Sequence, residues 1–153
     1  MTPRTLLVVE DGREYSEAFE RLAAAAEAPV RILRAGSLAE ARAALETGRV
    51  AGVFLDVVFD RVPEAELAGP LAALLARFGG DRARALGQLA ESQGFYLLDL
   101  LAPLVAGLPV VIGWDFSREP GRLAALRERV PGLEGLGEDA PLSTGLARLL
   151  ERL

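Results

Sequence analysis

The apolar run Val50–Leu55, followed directly by Asp56, constrains the fold more than any other stretch of this chain. A short, continuous apolar run is typical of a strand buried on both faces of a parallel sheet. Ligands of such sheets bind beyond the carboxyl ends of the strands, so Asp56 is predicted to lie at the functional edge. A second apolar run, residues 6–9, ends in Glu10 and Asp11. Two strands are therefore expected to bring three carboxylates to one end of one sheet.

Other apolar runs alternate with helical patterns along the chain. Strands are predicted at residues 5–9, 30–33, 50–55, 109–113 and 133–137. Between them, apolar residues recur at the three- and four-residue spacing of a helix face. This alternation favours parallel pairing with right-handed crossovers. With 153 residues, 51% of them hydrophobic, the chain is long enough to bury one core. We therefore predict a single α/β domain over residues 1–153, with helices on both faces of the sheet.

Residues 60–93 interrupt this alternation with helical patterns. One leucine-rich stripe ends at Gly79 and Gly80, and Asp81 can cap a second helix. A third helical segment contains Pro103, which is predicted to kink or end it. The leucines of residues 60–93 are expected to pack against the rest of the domain. Alternatively, they form an exposed apolar face for a homodimer or another partner, rimmed by Arg77, Arg82 and Arg84.

Composition excludes several kinds of chemistry. The chain has no cysteine and no histidine, so disulfides, thiol nucleophiles and imidazole ligands are absent. The net charge is −5, and no basic stretch is rich enough to follow a nucleic-acid backbone. The first apolar run is too short for a signal peptide or a membrane span. We therefore expect a cytoplasmic protein that binds neither nucleic acid nor membrane.

The order of these motifs resembles the receiver domain of bacterial two-component response regulators. The resemblance rests on an acidic pair after the first strand and an aspartate that ends the third. It extends over the helix-opening stretch 94–101 and the strand entry 108–112, and it covers most of the chain from residue 5 to the end. It implies a flavodoxin-like, three-layer fold with strand order 2-1-3-4-5. It also implies a non-enzymatic signalling module whose partners are a histidine kinase or phosphotransfer protein and a downstream effector.

The resemblance also implies a site. In the family, the acidic pair and the strand-three aspartate hold Mg²⁺, and that aspartate accepts a phosphoryl group. By motif, the metal ligands here are Glu10, Asp11 and Asp56, and Asp56 is the phosphoacceptor. Carboxylate oxygens suit Mg²⁺, which offsets the charge of an incoming phosphoryl group.

Three departures from the family pattern bear on activity. Residues 60–93 are interpreted as a helical insertion, because ordinary receivers have only a short loop there. The switch Ser or Thr after strand four is matched by Trp114, which has no hydroxyl. The Lys-Pro pair after strand five is matched by Ala140 and Pro141, so the phosphoryl-binding cation is missing. Trp114 is expected either to fill the pocket or to face a partner.

Like charges at contact distance raise a pKa or recruit a cation. We therefore expect Glu10, Asp11 and Asp56 to bind a divalent metal, with Asp60 and Asp115 nearby. Phosphotransfer to Asp56 is expected to be weak or absent. The alternative is a small Mg²⁺-dependent phosphohydrolase or phosphotransferase, which would need an acid two residues after the nucleophile.

Overall fold

The computed structural model describes residues 2–137 and 139–153. Five parallel strands form one sheet in the order β2-β1-β3-β4-β5. The strands are β1 (Arg4–Val9), β2 (Val30–Ala35), β3 (Val50–Leu55), β4 (Val110–Ile112) and β5 (Leu133–Gly135). The helices are α1 (Glu14–Ala25), α2 (Leu38–Glu46), α3 (Leu71–Arg77), α4 (Arg82–Glu91), α5 (Gln93–Val105), α6 (Pro120–Arg127) and α7 (Leu142–Glu151). The predicted flavodoxin-like fold and strand order are confirmed.

Successive side chains of each strand point alternately into two apolar cores, one on each face of the sheet. On one face, Leu7 and Val9 of β1 join a cluster that includes buried residues of α2 and α5. On the other face, Leu6 and Val8 join a cluster with residues of α1 and α7, among them Phe19. Because neighbouring side chains of one strand point to opposite faces, both layers require apolar residues at each of the four buried positions Leu6–Val9 of β1. The result is the predicted three-layer arrangement.

The predicted fifth strand, residues 133–137, has low strand propensity because it contains two glycines and no β-branched residue. It forms as a three-residue strand because β4 supplies a complete parallel partner. Val110 pairs with Leu133, and Ile112 pairs with Gly135. Long-range pairing thus overrides the weak strand propensity of this segment.

Residues 60–93 contain a 3₁₀ turn (Glu64–Glu66), α3 and α4, and they form a core of their own. Gly79 and Gly80 end α3 with φ angles of 62° and 83°, where a side chain would be strained. The buried members of this third cluster are Leu74, Ala85, Leu86 and Leu89. Tyr96 of α5 packs against them. The leucines of this segment are therefore buried on each other and against α5.

The large apolar side chains that are exposed in the described residues lie outside residues 60–93. They are Tyr15, Val58, Leu100 and Leu104. Arg77 and Arg84 place their guanidinium groups over the ring of Phe78, at 5.6 Å and 4.7 Å from its centroid. These arginines cover an aromatic ring instead of surrounding an apolar face.

Helix termini agree with the sequence at some positions and differ at others. Ser37 Oγ accepts a hydrogen bond from the Glu40 amide and caps α2. Asp115 and Ser117 do not cap α6, which begins at Pro120 after an N-cap residue without a side-chain cap. Asp115 Oδ1 instead accepts the Ser117 amide within the preceding turn. Pro103 lies inside α5, which ends two residues later at Val105.

Within the described residues, no helix is both long and apolar enough to cross a membrane.

Gly94→Ala is expected to destabilise the domain by about 1–3 kcal/mol, because overpacked cores must shift their backbone. An added Cβ would overlap the Asp56 carbonyl oxygen and lie 2.7 Å from Val57 Cα. The matched control is Gly87→Ala in α4, where an added Cβ meets nothing within 4 Å; it should stabilise by up to about 1 kcal/mol. Urea denaturation measures both, and equal effects would contradict this packing.

Candidate functional site

Parallel pairing brings the predicted acids together at the carboxyl end of the sheet. The Asp56 amide donates to the Val9 carbonyl at 2.9 Å, and the Glu10 amide donates to the Ala35 carbonyl at 3.0 Å. The side chains of Glu10, Asp11 and Asp56 line one cavity of about 450 Å³. Glu14, Asp60, Arg61 and Trp114 also line this cavity, which we call the Asp56 pocket.

Glu10 is the most deeply buried of the three acids, with 1% of its surface exposed. Its Oε1 accepts the Tyr15 amide at 3.0 Å, and its Oε2 accepts the Ser16 amide at 2.6 Å. These amides belong to the first turn of α1, where N–H groups lack partners within the helix. A carboxylate is also favoured there by the helix dipole. Glu10 therefore joins β1 to the start of α1 through both of its oxygens.

Asp11 and Asp56 use only one carboxylate oxygen each. Asp11 Oδ2 accepts the Arg61 amide at 2.8 Å. Asp56 Oδ1 accepts the Val57 amide at 2.9 Å. In the described part of the chain, Asp11 Oδ1 and Asp56 Oδ2 accept no hydrogen bond from protein atoms. The Asp56 pocket therefore contains two carboxylate oxygens with free coordination capacity.

The environment of Asp56 disfavours its ionised form. Burial raises the pKa of Asp56 from the ordinary 3.8 to about 6. The Val57 amide opposes this rise in pKa, and the negative charges of Asp11, Glu10 and Asp60 add to it. Like-charge repulsion and desolvation both penalise an isolated carboxylate. A cation bound beside Asp56 would relieve both penalties.

Arg61 lies at the rim of the Asp56 pocket and was not identified from the sequence. Its guanidinium pairs with Glu14 at 2.5 Å, and both side chains are more than half exposed. Exposed pairs of this kind contribute little stability, so the guanidinium is able to leave Glu14. No motif marks Arg61, because its position depends on the path of the chain after β3.

Arg34 of β2 was also missed. It contacts the backbone of the acidic loop 10–12 from behind. The sequence contains an indication of this role. Arg34 follows Val30 and Ile32 at two-residue spacing, which places all three side chains on one face of the strand. An arginine at such a position needs a polar partner, which the carbonyls of the acidic loop supply.

Trp114 borders the Asp56 pocket without closing it. Its Nε1 donates to Glu119 Oε2 at 2.8 Å, and its ring meets Phe95 edge to face with centroids 5.4 Å apart. Arg122 lies over the Phe95 ring, 3.8 Å from the centroid. The indole is thus held towards α5 and α6. Asp115, the next residue, is exposed and does not line the Asp56 pocket.

Two further motif positions lie near this end of the sheet. Ala140 is half-buried and packs against the cluster that contains α1 and α7. Val58, two residues after Asp56, lines the Asp56 pocket with a 45% exposed side chain. It cannot serve as the second acid that a phosphohydrolase would need.

The resemblance implies Mg²⁺, for which the carboxylates of the Asp56 pocket are the available ligands. Among residues 2–137 and 139–153, no three acidic side chains are close enough together to form a ready metal cage. Mg²⁺ does not require one, because it retains several waters and is commonly held by one or two carboxylates. Asp11 and Asp56 therefore fit Mg²⁺, whereas both oxygens of Glu10 are already hydrogen-bonded.

Solved structures with the same architecture are receiver domains. The signal receiver domain of a Luxo repressor protein from Vibrio parahaemolyticus superposes with a TM-score of 0.59 at 15% identity, covering 98% of this chain and 92% of that one. The Francisella response regulator 1452 receiver domain gives 0.59 at 14% identity, covering 97% and 98%. The receiver domain of NtrX from Brucella abortus gives 0.56 at 18% identity, covering 97% and 99%.

The chain has the fold of a response-regulator receiver domain. No protein-family model matches the sequence, and no curated protein matches it significantly. The likeness to receiver domains lies in the strand order and in the nearly complete coverage of the chain, although fewer than one fifth of the residues are identical. The Asp56 pocket lies at the carboxyl end of this receiver sheet, at the edge predicted for ligand binding.

Asp56→Asn is expected to stabilise the receiver fold above pH 6 in the presence of EDTA. The pKa of Asp56 is higher in the folded state, so the ionised carboxylate opposes folding. This penalty is absent below about pH 4 and complete above about pH 6. The rise in pKa from 3.8 to about 6 corresponds to about 3 kcal/mol, which partial exposure reduces to about 1–2 kcal/mol.

Urea denaturation at about pH 3.5 and about pH 8 measures the pH dependence of this effect. The control is Asp115→Asn, because the Ser117 amide lowers the pKa of the exposed Asp115. Asp115→Asn should slightly destabilise the fold above pH 6, whereas Asp56→Asn should stabilise it. A pH-independent effect of Asp56→Asn would contradict the electrostatic origin of the gain.

Proposed function

We propose that this chain is a receiver-type signalling module in which Asp56 is a metal-dependent but inefficient phosphoacceptor. One observation carries the proposal: Asp11 and Asp56 line the same open pocket, and each retains a carboxylate oxygen that accepts no hydrogen bond from residues 2–137 and 139–153. The receiver fold supports the same assignment. The proposed partners are a phosphoryl donor of the histidine-kinase or phosphotransfer class and a downstream effector protein.

In this proposal, Asp11 and Asp56 would hold Mg²⁺, and the ion would offset negative charge on the transferred phosphoryl group. The role of Glu10 is to fix the start of α1, through which the acidic loop is held against β3. Glu10 therefore supports the metal site without contributing a free oxygen. Residues 60–93 are proposed to be an insertion that packs on α5 and leaves the Asp56 pocket accessible.

The proposed chemical step is an in-line displacement at phosphorus. Oδ2 of the Asp56 carboxylate attacks, forming a new O–P bond and an acyl phosphate. Oδ1 accepts the Val57 amide and has a second lone pair, so it is the oxygen that would remain available to the metal. The bond between phosphorus and the donor's leaving atom breaks, and that atom keeps the electron pair. With its pKa near 6, Asp56 is largely ionised at neutral pH and needs no general base.

The proposed inefficiency follows from the missing cation. A preorganised charge at the developing phosphoryl group commonly contributes orders of magnitude to the rate. Ala140 stands where the resemblance places that lysine, and Arg61 is held by Glu14 at the pocket rim. An exposed guanidinium already paired with a carboxylate stabilises a transition state less than a buried, unpaired ammonium.

Trp114 is proposed to alter how the phosphorylated state is read. It has no hydroxyl to hydrogen-bond with a phosphoryl oxygen, and its indole is held by Glu119 and Phe95. Arg122 stacks on the same aromatic pair. Because α6 is attached to the pocket wall through these contacts, the partner-binding surface near α6 is expected to be largely preformed.

Mg²⁺ should raise the melting temperature of the protein, because it binds the native state preferentially. At ten times its Kd, one bound ion contributes about 1.4 kcal/mol, or roughly 3–5 °C for a chain of this length. Differential scanning calorimetry over a Mg²⁺ series measures the shift. Asp11→Asn and Asp56→Asn should each reduce it, whereas Asp115→Asn should not. A wild-type protein insensitive to millimolar Mg²⁺ would overturn the metal site.

Acetyl phosphate with Mg²⁺ should phosphorylate Asp56 slowly, and Ala140→Lys should accelerate the reaction by about tenfold or more through the restored cation. Intact-protein mass spectrometry follows the modification, and Asp56→Asn should show none. Ala140→Gln is the control, since it adds length without charge. Rapid release of many equivalents of phosphate without modified protein would instead identify a phosphohydrolase.

A further inference from the structure

Arg34 holds the acidic loop from the side opposite the Asp56 pocket. Its Nε donates to the Gly12 carbonyl, and one terminal nitrogen donates to the carbonyls of Asp11 at 2.8 Å and Glu10 at 3.2 Å. Three consecutive carbonyls therefore converge on one guanidinium. In the described part of the chain, Arg34 forms no salt bridge. Its hydrogen bonds to the described residues all go to backbone carbonyls.

The surrounding structure fixes where this guanidinium lies. Arg34 pairs with Val8 in the ladder between β1 and β2, two residues before Glu10. Gly36 leaves the necessary space, because a Cβ there would lie 2.7 Å from a terminal nitrogen of Arg34. The Gly36 amide donates to Glu40 Oε2 at 2.9 Å, which holds this turn to the start of α2. The backbone on both sides of Arg34 is therefore fixed, by the pairing of β2 with β1 before it and by the start of α2 after it.

We propose that Arg34 is a positioning residue that sets the acidic loop for metal binding by Asp11. The inference rests on the proposed metal site but concerns a residue outside the Asp56 pocket. Without a counter-charge, repulsion among Asp11, Asp56 and Asp60 would push the loop away from β3. A planar guanidinium can hold several carbonyls in fixed directions, which a single ammonium does less well. Arg34 thereby keeps the free oxygen of Asp11 beside Asp56.

The test compares Arg34→Gln with Arg31→Gln. Both remove one positive charge from β2, but Arg31 is exposed and has no contact with the acidic loop. Isothermal titration calorimetry with Mg²⁺, performed well below the melting temperatures, measures binding to folded protein. Arg34→Gln should raise the Kd by about tenfold or more, as for other residues that orient metal ligands. Arg31→Gln should change the Kd less than about twofold.

Two further variants separate geometry from charge. Arg34→Lys keeps the charge but loses the planar fork, so it should recover only part of the affinity. Gly36→Ala keeps Arg34 but displaces its guanidinium, so it should weaken Mg²⁺ binding in the same direction. Full recovery by Arg34→Lys, or equal Kd values for Arg34→Gln and Arg31→Gln, would overturn the proposal.

Amide hydrogen exchange provides a readout that does not depend on the metal. In metal-free protein, Arg34→Gln should increase exchange at residues 11–13 while amides of β3 and α5 remain protected. If wild-type protein binds no Mg²⁺, the proposed function fails, yet this measurement still tests Arg34. Unchanged exchange in the acidic loop, or a uniform increase over the whole domain, would contradict a positioning role.

Discussion

The backbone hydrogen bonds at the carboxyl end of β1 are the constraint on which the candidate site depends. Val9 receives the Asp56 amide from one side, while the Glu10 amide reaches Ala35 on the other. These two bonds place the acidic loop between β2 and β3, so carboxylates distant in sequence share one pocket. The apolar positions of β1 are buried on both faces. A one-residue slip of the strand would bring Thr5 into the core and move Val9 out of it, and it would break the two bonds that position the acidic loop.

Within this frame, each carboxylate is stabilised by a different means. Glu10 is buried, and two amides of α1 compensate its charge. Asp56 has one amide and remains in an environment that raises its pKa. Chemically similar side chains therefore acquire different roles: one joins structural elements, and the other keeps an unfavourable charge that a cation can relieve. The second kind of environment is the one expected at a functional site.

Sequence patterns could predict the strands and the meeting of Glu10, Asp11 and Asp56, because these follow from apolar runs and parallel pairing. The strand order was implied only by the resemblance to receiver domains. Sequence patterns could not assign roles within the group of acids. The function of Glu10 depends on where the first turn of α1 points, and that of Arg34 on the loop carbonyls. The start of α6 depends on local geometry in the same way: Asp115 Oδ1 accepts the Ser117 amide within the preceding turn, and the helix begins later at Pro120.

The positive charges of the site lie behind and beside the carboxylates, not at the position of the missing lysine. Arg34 neutralises the loop through backbone carbonyls, and Arg61 occupies the rim with Glu14. A cation behind the loop lowers the cost of assembling the acids, which favours metal binding. Arg34 would not reach a phosphoryl group on Asp56, because stabilising that group requires a positive charge inside the Asp56 pocket. The proposed metal binding and the proposed weak phosphotransfer are therefore compatible with one charge distribution, because an alanine at position 140 in place of lysine removes a charge from the phosphoryl side and not from the metal ligands.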